Sequence, residues 1–175
     1  FPPNSYFSWA KQSLRDYFAL DCRRREMCFV WFRIYYVYGP GQRAESLIPM
    51  LIKAFRTNKA PEISNPAAAN DYIYVDDVVN AFVKAVEDES CDGVFNLGSG
   101  KATPVAEISG LVERAIRNSD DFSSQLIKKV ASVKSDSGVW ADITTSERQL
   151  GWAPQVMLID GINRTIDGVC GDGDS

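Results

Sequence analysis

The sequence contains no histidine. That absence excludes, within this chain, an imidazole acid–base catalyst, a histidine-based triad and a histidine-ligated metal. Cysteine is sparse too. Cys22, Cys28, Cys91 and Cys170 have neither metal-ligand spacing nor the density of a disulfide framework. They read as reduced core or surface thiols of a cytosolic protein. No apolar run is long enough to cross a bilayer or shaped like a secretory leader. Basic charge is also short, since 19 Lys and Arg against 23 Asp and Glu leave a net −4 and a pI near 4.9. A general nucleic-acid or anionic-membrane partner is thereby argued against. The exception, Arg23-Arg24-Arg25, falls at an expected helix end, where cations suit the helix dipole. Internal repeats are absent as well. The expectation is a cytoplasmic chain with no metal, no nucleic acid and no membrane span.

What is present is an α/β alternation. The apolar run Met27 to Ile34 is rich in aromatic and β-branched residues and lacks polar alternation. Such a run predicts a strand buried on both faces, as in a parallel sheet. Gly39-Pro40-Gly41 stops it, and open α/β sheets bind ligands where the chain leaves strand carboxyl ends. Before it, Asn4 or Ser5 caps a helix over about Tyr6 to Arg25. After it come a helix from Glu45 to Thr57, a short strand at Pro61 to Ser64 and a strand over Tyr72 to Val75. Asp76 or Asp77 is the expected cap of the next helix. Asp92-Gly93 turns into a strand, Val94 to Leu97, broken by Gly98-Ser99-Gly100. Thr103-Pro104 reads as a cap and first turn of a helix reaching Ile116. Asn118 to Ser124 reads as a loop and Leu126 to Val133 as a strand. Helices are expected at Thr144 to Leu150 and Met157 to Val169, then a disordered tail, 171–175.

Six segments in order carry more specific information. They are Phe7-Ser8-Trp9-Ala10-Lys11, Arg33 to Pro40, Leu47-Ile48-Pro49, Asn70 to Asp77, Phe95 to Gly100, and Leu150 to Pro154. Their order and spacing resemble the extended short-chain dehydrogenase/reductases, specifically the NAD-dependent nucleotide-sugar epimerases and dehydratases. That family runs through a Tyr-x-x-x-Lys helix, a strand ending in Tyr-Gly-Pro, a Leu-Ile-Pro segment, a Val-Asp-Asp stretch, an Asn-Leu-Gly-Ser-Gly strand and a Leu-Gly-Trp-x-Pro turn.

The resemblance implies the distal half of a Rossmann-like parallel sheet plus a small α/β substrate-binding subdomain. Residues 1–43 would end the Rossmann-like domain. Residues 44–170 would be mainly the sugar-nucleotide subdomain, with Rossmann elements interleaved at about 72–98. The chain opens on Phe1 without an initiating Met and lacks the family's Gly-rich turn, so it is expected to be a piece of a longer protein. The implied cofactor is NAD or NADP. The implied partners are a nucleotide-diphosphate sugar and a second copy, meeting through the Lys11 helix. Trp9, Tyr17 and Phe18 suit that dimer, and core packing would explain them equally.

Implied site residues follow the motifs. Lys11 would hold the nicotinamide ribose and lower the pKa of a phenol four residues before it, on the same helix face. Phe7 stands at that position instead of tyrosine, and it has no ionisable proton. Tyr36 and Val37 would face the cofactor, and Tyr36, Arg43, Leu47, Asn70 and Asn96 the substrate. Tyr36 replaces a common Asn. Asn70 replaces an arginine, so charge for gripping a diphosphate is missing. Two functions are therefore carried forward: an epimerase or dehydratase half, and a catalytically impaired relative acting as a nucleotide-binding or structural scaffold.

Overall fold

The computed structural model describes residues 5–117 and 138–171. Helix α1 (Tyr6–Arg24) starts at Ser5, whose hydroxyl accepts the Ser8 N–H at 3.1 Å, and ends on Arg23 and Arg24. No residue of α1 is buried.

The central chain path is one extended stretch that changes neighbours. Its first part, β1 (Val30–Ile34), pairs in parallel with β4 (Gly93–Leu97). Its second part, β2 (Tyr36–Tyr38), pairs in parallel with β3 (Ala69–Tyr74). Between them the Tyr35 N–H donates to the Leu97 carbonyl at 3.0 Å. Strand β5 (Ala102–Pro104) adds to β3 antiparallel.

Helices α2 (Leu47–Arg56), α3 (Val75–Glu87), α4 (Val105–Arg117), α5 (Thr144–Gln149) and α6 (Leu158–Gly171) complete the described elements. Two buried clusters hold them. In one, Ile48, Leu51, Ile52 and Phe55 of α2 meet Ile108 and Val112 of α4 and Ile162 of α6, beside Tyr38, Tyr72 and Tyr74. In the other, Phe95 and Leu97 of β4 meet Ile73, Val78, Ala81, Leu150 and Trp152. Each such side chain contributes about 1.5–3 kcal/mol by leaving water.

The α/β alternation and parallel pairing agree with the sequence, but several local expectations do not. The strand from Met27 shortens to Val30–Ile34 and is not buried on both faces. Val30, Trp31 and Phe32 are half-buried and Arg33 and Ile34 exposed, because β4 is β1's one ladder neighbour among the described residues. Thr103-Pro104 does not open a helix but forms β5. The first N–H groups of α4 are satisfied by the chain instead, Val105 donating to Ala68 O at 2.8 Å and Ala106 to Pro66 O at 3.0 Å. Pro61 to Ser64 forms no strand. Gly171 closes α6 rather than opening a tail. The loop expected at 118–124, the strand at 126–133 and tail residues 172–175 lie outside the described residues. Among the described residues, no helix is long and apolar enough to cross a membrane.

Candidate functional site

Strand β3 runs Ala-Asn-Asp-Tyr-Ile-Tyr, and its aspartate points into the protein. Asp71 is fully buried. Its Oδ1 accepts the Ser99 N–H and the Ser99 hydroxyl, both at 2.6 Å. Its Oδ2 accepts the Gly100 N–H at 3.0 Å and the Ala141 N–H at 2.9 Å. Four donors thus balance one buried carboxylate, the condition under which such a charge is tolerated. The carboxylate ties the loop after β4 to the segment before α5. Gly98 is required there, since a Cβ would stand 2.5 Å from Asp71 Oδ2 and 2.6 Å from the Ala141 methyl.

Asn96 lies on the same joint. Its side-chain amide donates to the Asp142 carbonyl at 2.8 Å, and its own carbonyl accepts the Ser146 hydroxyl at 2.7 Å. Asn70, next to Asp71, bridges to Val139 and hydrogen-bonds the Tyr72 phenol. Burial raises the Tyr72 pKa, the Asn70 bond works against that, and Tyr36 adds to the rise. The Tyr36 and Tyr72 rings are 5.8 Å apart, with Tyr36 largely exposed. Tyr36 thus comes just past β1, Asn96 lies next to the carboxyl end of β4, and Asn70 is the neighbour of Asp71, which binds the loop after β4.

The other candidates fall elsewhere. Val37 turns inward against the Phe95 cluster, and its carbonyl accepts the Gln42 amide at 3.2 Å. Leu47 is half-buried against the α2 core and Arg43 is exposed. Phe7 and Lys11 meet each other, with the ammonium 4.4 Å from the ring centroid. Both are exposed, and no hydrogen bond or ring contact among the described residues joins them to Tyr36, Asn70 or Asn96. Among the described residues, no cluster of His, Cys, Asp and Glu could hold a metal ion.

A second buried acid, Asp77, corrects an expectation. Neither Asp76 nor Asp77 caps α3, whose N-cap is Tyr74 without a side-chain bond. Asp77 instead accepts the Gln155 N–H at 2.9 Å and the Val156 N–H at 3.1 Å. Its carbonyl takes the Trp152 indole N–H at 2.9 Å. This fixes the Leu-Gly-Trp-Ala-Pro turn against α3.

The family model for the NAD dependent epimerase/dehydratase family matches residues 1–98. The chain belongs to that family. Among curated members, it is 30% identical over 172 residues to a dTDP-4-dehydro-6-deoxyglucose reductase of Escherichia coli, covering 95% of this chain and 53% of the relative. It is 32% identical over 132 residues to a dTDP-glucose 4,6-dehydratase of Streptomyces griseus, covering 74% and 39%. The UDP-glucose 4-epimerase of Thermotoga maritima, solved with UDP-glucose, superposes with a TM-score of 0.77 at 25% identity, covering 97% of this chain and 54% of that one. The mixed α/β architecture with parallel strands is thus the Rossmann-like fold of these epimerases. The chain spans about half the length of the curated relatives it matches.

The Gly98-Ser99-Gly100 loop is occupied by a protein carboxylate. The Ser99 and Gly100 N–H groups, which could otherwise meet an anion, are already bonded to Asp71. Asp71 and Ser99 are the site residues that the motifs alone did not single out. The available signal was a carboxylate inside a strand of Tyr and Ile, where an unpaired charge is costly.

Proposed function

We propose that the protein containing this chain is an NAD(P)-dependent enzyme acting on a nucleotide-diphosphate sugar, by epimerisation or dehydration. This chain would supply its nucleotide-sugar half. The observation that carries the reading is the joint that Asp71 locks just past the carboxyl end of β4, with Asn96 near that end, Asn70 beside Asp71 and Tyr36 just past β1. Ligands of open α/β sheets bind at such ends. The relatives' names, which include epimerases and dehydratases of UDP- and dTDP-sugars, support the substrate class.

In this reading Asn70 and Asn96 offer amides to hydroxyl and phosphate oxygens, Leu47 lines the base side, and Arg43 supplies a cation past the Gly-Pro-Gly loop. Asn70 brings no charge, so Arg43 carries the diphosphate interaction. Lys11 would hold the cofactor ribose and Tyr36 would stand on the nicotinamide side, while Val37 packs inward against the Phe95 cluster and would support that strand from within. When bound, NAD(P) would supply hydride chemistry at the sugar. Its phosphate turn belongs to sequence outside this chain. Residues 1–43 and about 72–98 would complete the cofactor-side domain, and 44–170 would otherwise be mainly the sugar side. A homodimer through α1 belongs to the same proposal, supported by the exposure of Trp9, Tyr17 and Phe18.

One observation favours a second reading, a nucleotide-binding scaffold with impaired catalysis. The Lys11 ammonium rests on the Phe7 ring, where no proton can be exchanged. The test is binding by the full-length protein. Dinucleotide absorbance that copurifies, with calorimetric binding of a UDP- or dTDP-sugar, upholds the enzyme class. Sugar-nucleotide binding without turnover selects the scaffold. Binding of neither ligand rejects both.

A further inference from the structure

Helix α6 backs the Gly-Pro-Gly loop at its entry, its apex and beyond its exit. At the entry, the Tyr38 hydroxyl donates to the Leu158 carbonyl at 3.2 Å, and a Cβ at Gly161 would strike that hydroxyl. At the apex, the Pro40 ring lies against Gly168, where a Cβ would stand 2.7 Å from Pro40 Cβ and 2.9 Å from Pro40 Cγ. Beyond the exit, the Arg56 guanidinium of α2 donates to the Ile166 carbonyl at 3.0 Å. Gly161 and Gly168 fall about 20° apart around α6, so one face of the helix meets both Tyr38 and Pro40.

The loop has little freedom of its own. Gly39 is buried, and a Cβ there would stand 2.6 Å from Val75 Cγ1. The Gln42 amide donates to the Val37 carbonyl at 3.2 Å, and the Ser46 N–H to the Arg43 carbonyl at 2.9 Å. Arg43 therefore leaves a turn held by its own bonds, by α3 and by α6. Its side chain is exposed and pairs with no acid among the described residues. Pro40 cannot yield as a free side chain does, because its ring is fused to the backbone. A displacement at Gly168 is thus passed to the turn that carries Arg43.

We propose that Gly168 is a positioning residue: through Pro40 it sets where the loop presents the Arg43 guanidinium to an anionic ligand. The ligand chemistry is the diphosphate of the sugar nucleotide, so the inference rests on the role given to Arg43 under the proposed function. Guanidinium–phosphate bonds depend on direction as well as on charge. A displaced turn therefore weakens them while leaving the cation in place. Recognition of the diphosphate is in this way adjusted from α6, a helix that carries none of the candidate site residues.

The experiment measures binding of UDP and dTDP to the full-length protein by calorimetry, with the thermal midpoint recorded for each variant. Gly168→Ala should weaken the better-bound diphosphate about tenfold, the scale of one charge-assisted bond. Arg43→Ala should weaken it at least as far, and the double variant no further than Arg43→Ala alone. If Gly168 serves packing alone, the two losses multiply, and that outcome overturns the proposal. So does a Gly168→Ala protein with wild-type affinity. Pro40→Ala removes the ring without crowding α6. It should show the same non-additivity with Arg43→Ala, and it keeps the test decisive where Gly168→Ala does not fold. Diphosphate affinity untouched by Arg43→Ala rejects the role of Arg43 and this inference with it. Losses that multiply while Arg43→Ala weakens binding reject this inference alone.

Discussion

Asp71 and Ser99 are bound twice, the carboxylate accepting both the backbone N–H and the hydroxyl of the serine at 2.6 Å. The first bond orders the loop backbone and the second fixes the rotamer. With the Gly100 and Ala141 bonds, the carboxylate joins β3, the β4 loop and the α5 lead-in.

Asp71→Asn is therefore a severe change despite its size. An amide NH₂ would face N–H donors on one side, leaving buried groups unpaired. The expected loss is about 2–4 kcal/mol, against about 1 kcal/mol for Ser99→Ala, which removes one hydroxyl bond. Urea unfolding of the full-length protein measures both. Equal losses would show that the backbone bonds contribute nothing.

Gly98→Ala should cost about 1–3 kcal/mol by overpacking. The new methyl meets Asp71 and Ala141, neither of which is the free end of a flexible side chain. Gly41→Ala tests a different cause, since no atom lies within 4 Å of its Cβ position but its φ is +74°. Its loss should stay near 1 kcal/mol and come from the backbone alone. A milder effect at Gly98 than at Gly41 would contradict the packing account.

Phe7→Tyr tests the proposed catalytic position. A phenol one helical turn from Lys11 restores a group that can exchange a proton, worth about 10²–10⁴ in rate. Turnover of the accepted nucleotide sugar should rise with little change in KM. Lys11→Met in that background should remove the gain. An unchanged rate in Phe7→Tyr rejects Phe7 as the acid–base position.

Tyr38 links stability to alkaline pH. Burial, then Asp77, Tyr74 and Asp160, push its phenol well above the ordinary value of 10.0, and its hydroxyl donates to Leu158 O at 3.2 Å. The unfolded chain therefore loses this proton first as pH rises. The stabilisation is full below about pH 10 and drains away as pH climbs from there toward the folded-state value. Tyr38→Phe should flatten the fall in unfolding free energy above pH 10. Tyr72, raised in the same direction by burial, adds to the slope.

Much of this was legible along the chain because the signals are local. The Tyr6 helix, the Leu47 helix and the Val94 strand carry their own periodicity and punctuation. What escaped was decided across space. Thr103-Pro104 has the chemistry of a helix start, yet β3 offered an open edge and the carbonyls of Pro66 and Ala68 took over the capping. Asp77 has the chemistry of a cap, yet the Gln155 and Val156 N–H groups lie 78 and 79 residues away in sequence. Of the candidate site, the asparagines were singled out by motif. Asp71 was not, because a strand aspartate declares its partners only when Ser99 and Ala141 arrive.

The change of neighbours at Tyr35 sets how the site can move. One unbroken backbone serves as ladder partner to β4 on one side and to β3 on the other. The wall holding Asn96 and the wall holding Asn70 are thus bolted to the same rail. Neither can swing without tearing ladder bonds. Motion at this joint is therefore tied to that shared strand, and larger rearrangements have to come from elements attached elsewhere.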